Sequence, residues 1–225
     1  MSVYLLPEEP VFPPACEAES DGLIAIGGDL SVNRLLAAYS NGIFPWFIDD
    51  DDIFWFSPDP RMVLFPENFK VSESLRRIIQ AKKIEVRFDT AFNQVIEACS
   101  KVPRPGQDGT WISPEFITAY KELHIRGYAH SVEAFSNGKL AGGLYGLILG
   151  HAFFGESMFF SVSNASKVAM YHLAKWSLAS GIRFIDCQVE SEHLSKLGAS
   201  LISRQEYLSL LEDSLRGCQP ETKRI

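Results

Sequence analysis

Three consecutive apolar runs, at 129–135, 140–149 and 152–160, restrict this chain more than any other feature. Each has the length and the β-branched, aromatic and small residues of a buried strand. Asn137-Gly138 between the first two is a strong two-residue hairpin signal, and Gly150-His151 makes the second reversal. The predicted unit is therefore a three-stranded antiparallel meander. Asn164 then caps a helix over 165–180, which Gly181 ends. The stretch that follows, Ile182-Arg183-Phe184-Ile185-Asp186-Cys187-Gln188, has the character of one more buried strand.

That last strand carries the first hint of chemistry. Side chains alternate along a strand, so Ile182, Phe184, Asp186 and Gln188 are predicted to share one face. The face begins apolar and ends with a carboxylate and an amide at the strand's C-terminal end. Such ends are where α/β proteins tend to place their chemistry; the alternative is a structural pair bonded to a neighbouring loop. Glu156 is a second carboxylate in an unusual place, predicted to share a strand face with Phe154, Met158 and Phe160. It belongs either to a substrate site or to an ion pair within the core.

Upstream, the first sixty residues are dense in Pro, Gly and aromatic residues. The run from Gly22 to Leu30 reads as a short strand and a glycine turn, and Ser31 caps a helix through Leu35, Leu36, Ala38 and Tyr39 that Gly42 ends. Neither G-x-G-x-x-G nor G-x-x-x-x-G-K-[ST] occurs, so Gly27-Gly28 is not read as a nucleotide loop. The rings around Trp46 and Trp55 form the core of a small domain or stand at the edge of a cleft. Beyond Pro66, Ser72 caps a basic helix, 84–88 is a strand, and Asp89 caps a helix to Ser100. A polar loop with Pro103, Pro105, Gly106 and Gly109 leads to Thr110-Trp111-Ile112, Ser113 caps a helix with Pro114 at its first position, and Gly127 closes it. Ser203 and Glu206 make a capping box for a last helix to about Leu215.

Bulk properties narrow the function. At 225 residues and 46 % hydrophobic, the chain can bury a sizeable core. The longest uncharged run, 140–155, is interrupted by five glycines and His151 and is too short to span a bilayer. The start has no basic residue and reads as neither signal nor transit peptide. Cys16, Cys99, Cys187 and Cys218 are far apart, which points to reduced thiols of a cytoplasmic protein, and the five histidines have no ligand spacing, so no metal is expected. The net charge of −7 opposes a nucleic-acid partner only on average: residues 1–60 hold eleven Asp/Glu and one Lys/Arg, net −10, which leaves +3 for the remainder. Arg76, Arg77, Lys82 and Lys83 cluster near the second helix, either as solvated surface or as a phosphate-binding patch.

The order of meander, helix and strand is α+β and similar to that of GNAT-type acyltransferases. In the acetyl-CoA members a glycine loop opens the helix and wraps the pyrophosphate. Here the corresponding Ser163-Asn164-Ala165-Ser166-Lys167 has no glycine, which counts against an acetyl-CoA enzyme. Eight signatures, taken in order, carry a closer resemblance: Gly22-Leu23 through Gly27-Gly28-Asp29-Leu30, Gly42-Ile43-Phe44-Pro45-Trp46, Ser57-Pro58-Asp59-Pro60-Arg61, Thr110-Trp111-Ile112, His130-Ser131-Val132-Glu133, Gly155-Glu156-Ser157-Met158-Phe159, Ala165-Ser166-Lys167 and Ile185-Asp186-Cys187-Gln188. Through them the chain resembles the leucyl/phenylalanyl-tRNA–protein transferases from about Phe12 to Leu211. Phe56 and Lys196 depart from the family pattern, where a tryptophan and a serine are usual.

The resemblance implies a small N-terminal α/β domain (1–65) packed on a GNAT-like, acyl-CoA N-acyltransferase type domain (66–225). It implies transfer of Leu or Phe, less readily Met, from aminoacyl-tRNA to proteins with N-terminal Arg or Lys, which marks them for N-degron-dependent degradation. It further implies a cytoplasmic monomer with no cofactor, no metal and no membrane partner. By family position Asp186, Gln188 and Glu156 are catalytic. Trp46, Trp111, Tyr39, Leu144, Phe153, Leu173 and Ile185 bind substrate, and Arg76, Arg77, Lys82 and Lys83 meet tRNA phosphates. On chemical grounds Gln188 is expected to orient the attacking amine rather than act as a base, with Asp186 fixing its amide. A catalytically dead tRNA- or peptide-binding module is the competing class, against which the retained Asp186, Gln188 and Glu156 speak.

Overall fold

A computed structural model describes residues 3–49, 52–102 and 112–216 of the chain. In chain order its elements are β1 (Tyr4–Leu5), β2 (Leu23–Ile26), α1 (Val32–Ser40), β3 (Phe44–Asp49), β4 (Asp52–Phe56), β5 (Arg61–Leu64), α2 (Glu73–Gln80), β6 (Ile84–Phe88), α3 (Phe92–Cys99) and α4 (Pro114–Ile125). The meander β7 (Ala129–Ser136), β8 (Lys139–Leu149) and β9 (Ala152–Phe160) follows, then α5 (Ala165–Ser180), β10 (Phe184–Gln188), α6 (Glu192–Lys196), β11 (Ser200–Ile202) and α7 (Arg204–Leu215). The class is α+β, as the sequence predicts.

Local chemistry explains most boundaries. Ser31, Ser72, Ser113 and Ser203 each accept a hydrogen bond from the backbone N–H three residues on, and Ser203 with Glu206 completes a capping box. Asn137 and Gly138 both take positive φ (51° and 73°), the left-handed pair that a two-residue hairpin needs. Two predicted caps fail. α3 begins at Phe92, not Asp89, because the buried Glu133 accepts from Thr90 and Ala91 and takes over the role, while Asp89 turns to His130 and the Ser131 N–H. Asn164 stands at the start of α5 in the left-handed region, with its amide donating to Ser163 Oγ instead of capping.

Two sheets form. The small one has the order β1-β2-β4-β3, and the large one β11-β5-β10-β9-β8-β7-β6. All neighbours in the large sheet are antiparallel except β9 and β10. β5 precedes residue 65, yet it pairs on one side with β10 and on the other with β11. Sheet membership therefore changes between Phe56 and Arg61, ahead of the predicted division. One face of the large sheet shares a core with the small sheet, α1, α3, α4 and α7 through Trp55, Leu35, Val95, Phe116, Phe154 and Leu211. The opposite face buries Met170, Leu173 and Ala169 of α5 against Leu144, Phe153 and Ile185. No helix among the described residues is long and apolar enough to cross a membrane.

Candidate active site

The site lies where β9 and β10, the parallel pair of the large sheet, come apart. Pairing of β9 with β10 stops at Phe154 opposite Asp186. On β9, Tyr145 of β8 faces Ser157 whereas Gly146 faces Gly155, so Glu156 is an extra residue. On β10, Asp186 faces Val63 and Gln188 faces Met62, so Cys187 is extra, and Gln188 sits at φ 64°. Each irregularity is a bulge, and a bulge reverses the alternation beyond it. Phe154 and Phe159 consequently face one core and Phe153 and Met158 the other. This corrects two expectations: Glu156 shares no face with Met158, and Gln188 does not continue the face of Asp186. Gly146 makes the first bulge possible, because a Cβ there would lie 2.2 Å from the Phe154 carbonyl oxygen and 2.6 Å from the Phe153 ring.

A cavity of about 320 Å³ opens between the parted strands. Leu144, Phe153, Met158, Met170, Leu173 and Ile185 close its apolar end. Glu156, Ser157, Gln188, Ser191 and His193 supply a polar side, and Phe44 and Trp46 reach its wall from the small sheet. Trp46 is half-buried, set edge-on to Phe56 at 5.3 Å. Burial, then Lys167 and Lys196, hold the His193 imidazole below its usual range, so this ring is neutral near pH 7.

Glu156 is 7 % exposed and surrounded by donors. Tyr39 donates to its Oε1 at 2.7 Å, Tyr120 to its Oε2 at 2.9 Å, and the Gln188 amide Nε2 to Oε1 at 3.1 Å. Burial raises its pKa from 4.5 to about 7, against the pull of the two phenols. Because the carboxylate takes the Gln188 amide nitrogen, the amide oxygen is left for the cavity. Glu156 thus fixes which way the Gln188 side chain points, the task the sequence assigned to Asp186.

Asp186 does something else. Its carboxylate is completely buried and accepts four hydrogen bonds. Arg61 gives two, Nε to Oδ1 at 2.9 Å and Nη2 to Oδ2 at 2.6 Å; Tyr207 gives one to Oδ2 at 2.8 Å; the Gln188 backbone N–H gives one to Oδ1 at 2.9 Å. The guanidinium lies between the Phe44 and Tyr207 rings, 4.7 and 4.4 Å from their centroids. Burial works against its charge, but Asp186 and Tyr207 outweigh that and keep it a cation.

The cavity brings together Asp186, Gln188, Glu156, Trp46, Leu144, Phe153, Leu173 and Ile185. Tyr39 is fully buried behind Glu156 and forms no part of the cavity wall. Arg76, Arg77, Lys82 and Lys83 are exposed on and after α2, which packs on α5, and they do not line the cavity. Trp111 lies outside the described residues, as do residues 103–110 and Cys218. Sequence reasoning missed Arg61, Tyr120, Tyr207, His193, Met158 and Met170. Arg61 was detectable in principle, since an arginine opening an apolar strand must find a carboxylate once buried.

Comparison with known proteins agrees with the resemblance. The family model described as leucyl/phenylalanyl-tRNA protein transferase matches residues 63–212, and the one for its N-terminal domain matches 28–59. The chain is 53 % identical over 215 residues to the leucyl/phenylalanyl-tRNA–protein transferase of Chromobacterium violaceum, covering 95 % of this chain and 92 % of that one. It is 52 % identical to the Syntrophobacter fumaroxidans protein of the same name, covering 96 % and 92 %. Among solved structures, FemX superimposes with a TM-score of 0.49 at 13 % identity, over 80 % of this chain and 71 % of that one.

Proposed function

The chain belongs to the leucyl/phenylalanyl-tRNA protein transferase family, and from that premise we propose that it moves Leu or Phe, less readily Met, from aminoacyl-tRNA to the N-terminal Arg or Lys of acceptor proteins. The tagged products enter N-degron-dependent degradation, and the enzyme works as a cytoplasmic monomer without a cofactor. The observation that carries this reading is the cavity between β9 and β10, apolar at its closed end and bounded by Gln188 and Glu156 on its polar side. Unbranched-at-Cβ side chains such as Leu and Phe suit the end formed by Leu144, Phe153, Leu173 and Ile185. Trp46 offers a stacking surface for the terminal adenine, a contact worth about 1–3 kcal/mol per base.

The reaction is attack of a neutral α-amine on the ester that joins the amino acid to the tRNA ribose. The ester is activated already, so positioning supplies much of the rate; oriented reactants reach effective molarities of roughly 10⁵ M or more. In this reading the Gln188 amide oxygen accepts a hydrogen bond from the attacking amine and aims its lone pair. Glu156 holds the amide for that task and, with a pKa of about 7, is matched to take up the proton that the amine loses. As the carbon–nitrogen bond forms, the ester's carbon–oxygen bond breaks and the proton passes to the departing ribose oxygen, which leaves as a hydroxyl. Incubation with labelled Leu-tRNA or Phe-tRNA and an Arg-starting peptide should move the label to the peptide, and label remaining on the RNA would refute the assignment.

The basic residues of α2 and the turn after it support the tRNA side of the reading. Contacts of Arg76, Arg77, Lys82 and Lys83 with phosphates would position the acceptor stem without reading its sequence. Each neutralised phosphate contributes to a steep loss of affinity with salt. Replacing all four by glutamine should therefore weaken tRNA binding at low salt and flatten its salt dependence. An unchanged slope in a filter-binding titration would remove the patch from the site.

A further inference from the structure

We propose that Arg61, joined with Tyr207 to Asp186, is a positioning residue for transfer: it holds the Gln188 main chain in its left-handed turn and so delivers the Gln188 amide to Glu156. This rests on the functional reading above and assigns its machinery a part that lies outside the cavity. A non-glycine residue at φ 64° is uncommon and persists where its surroundings over-determine it. Here the main chain is tied by the hydrogen bond from Gln188 N to Asp186 Oδ1, beside the side-chain bond to Glu156 and the place opposite Met62 on β5. Were β10 to continue as regular strand, Cys187 would take the place opposite β5 that Gln188 now occupies, and the amide would lose its line to Glu156.

The bond constrains the turn only if Asp186 itself cannot move. Arg61 ensures that, because its fork grips both carboxylate oxygens while Nη1 donates to the Gly42 carbonyl at 3.3 Å. The guanidinium carbon packs over the Phe44 and Tyr207 rings, Nη2 also donates to the Tyr207 hydroxyl at 3.3 Å, and that hydroxyl donates in turn to Oδ2. With four donors and no exposed surface, the Asp186 carboxylate has neither room nor a free lone pair for a substrate amine. Its negative charge is balanced by a partner 2.6 Å away. What the pair supplies to the reaction is shape, not field.

This separates cleanly from a role for the charge. Asp186→Asn and Arg61→Gln, made singly, each leave one buried group unmatched and should lower kcat at least tenfold, with KM for aminoacyl-tRNA within about threefold of wild type. Combined, they place two neutral amides in the same positions, the Asn oxygen still able to accept the Gln188 N–H. The double variant should recover at least tenfold in kcat over the slower single variant. A double variant as slow as Asp186→Asn would show that the carboxylate charge matters in itself and would overturn the proposal, as would wild-type kcat in either single variant. Should Arg61→Gln fail to fold by circular dichroism, Arg61→Lys replaces it, since it keeps the charge and loses the fork; an unchanged kcat there overturns the proposal too. A wild-type chain that transfers nothing refutes the functional reading, whereas active wild type with no rescue refutes only the positioning role of Arg61.

Discussion

Glu156→Gln should lower kcat about a hundredfold at pH 8, and the wild-type rate should fall more steeply than the variant's between pH 8 and 6. The magnitude follows from removing a prearranged partner of the reacting groups, which typically costs roughly 10²–10³ in rate. The sign follows from burial, which raises the Glu156 carboxyl from 4.5 to about 7. Its carboxylate, the form that holds the Gln188 amide nitrogen and can accept a proton, is complete above that value and is lost as the pH falls through it. The acceptor's α-amino group titrates nearby, at about 7.7–8.0, and also slows the reaction in acid. The ratio of wild-type to variant rates cancels that shared contribution. A ratio that stays constant from pH 6 to 8 would show that Glu156 does not titrate in the reaction.

Gly146→Ala should be among the most damaging single-methyl changes available to this chain. The added Cβ would meet the Phe154 carbonyl oxygen at 2.2 Å and the Phe153 ring at 2.6 and 2.7 Å. A backbone oxygen in the middle of a sheet cannot retreat as a side-chain tip can. Overpacking of cores usually costs about 1–3 kcal/mol, and a backbone clash at the bulge belongs at or beyond the upper end. In a chain of this size that corresponds to a Tm lower by about 10 °C or more. Gly138→Ala is the control: on the hairpin its Cβ would have nothing within 4 Å, so only the positive φ of 73° is penalised, about 1 kcal/mol. Equal Tm values for the two variants in a thermal melt would contradict the packing described for β8 and β9.

The sequence and the structure agree where the determinants are local. The Asn137-Gly138 turn, the Ser203–Glu206 box and the limits of β9 needed only neighbouring residues to be read. They part where a residue's partner is distant. Asp89 looks like a cap until Glu133, more than forty positions away, supplies the carboxylate to α3 instead. Strict alternation put Glu156 beside Met158 and Gln188 beside Asp186, and both pairings fail because one extra residue per strand reverses the faces. Gly155 inside the strand run is a local sign of the first bulge, whereas no glycine or proline within five residues of Gln188 marks the second. The identities of Glu156, Asp186 and Gln188 were therefore legible, through resemblance to a family, while their division of labour was not. Arg61 illustrates the same limit: it stood in plain view within a signature, but its carboxylate partner could not be named without the register of β5 against β10.

The insertion of β5 between β10 and β11 also has a bearing on how the molecule comes into being. Arg61 leaves the ribosome early, and Asp186 follows 125 positions later. A growing polypeptide cannot close that loop, or give β5 either neighbour, until β10 and then β11 have been made. Contacts of such long range make the last steps of assembly slow and cooperative. A chain halted before β10 therefore lacks Asp186, Gln188 and both strands that hold β5 in place.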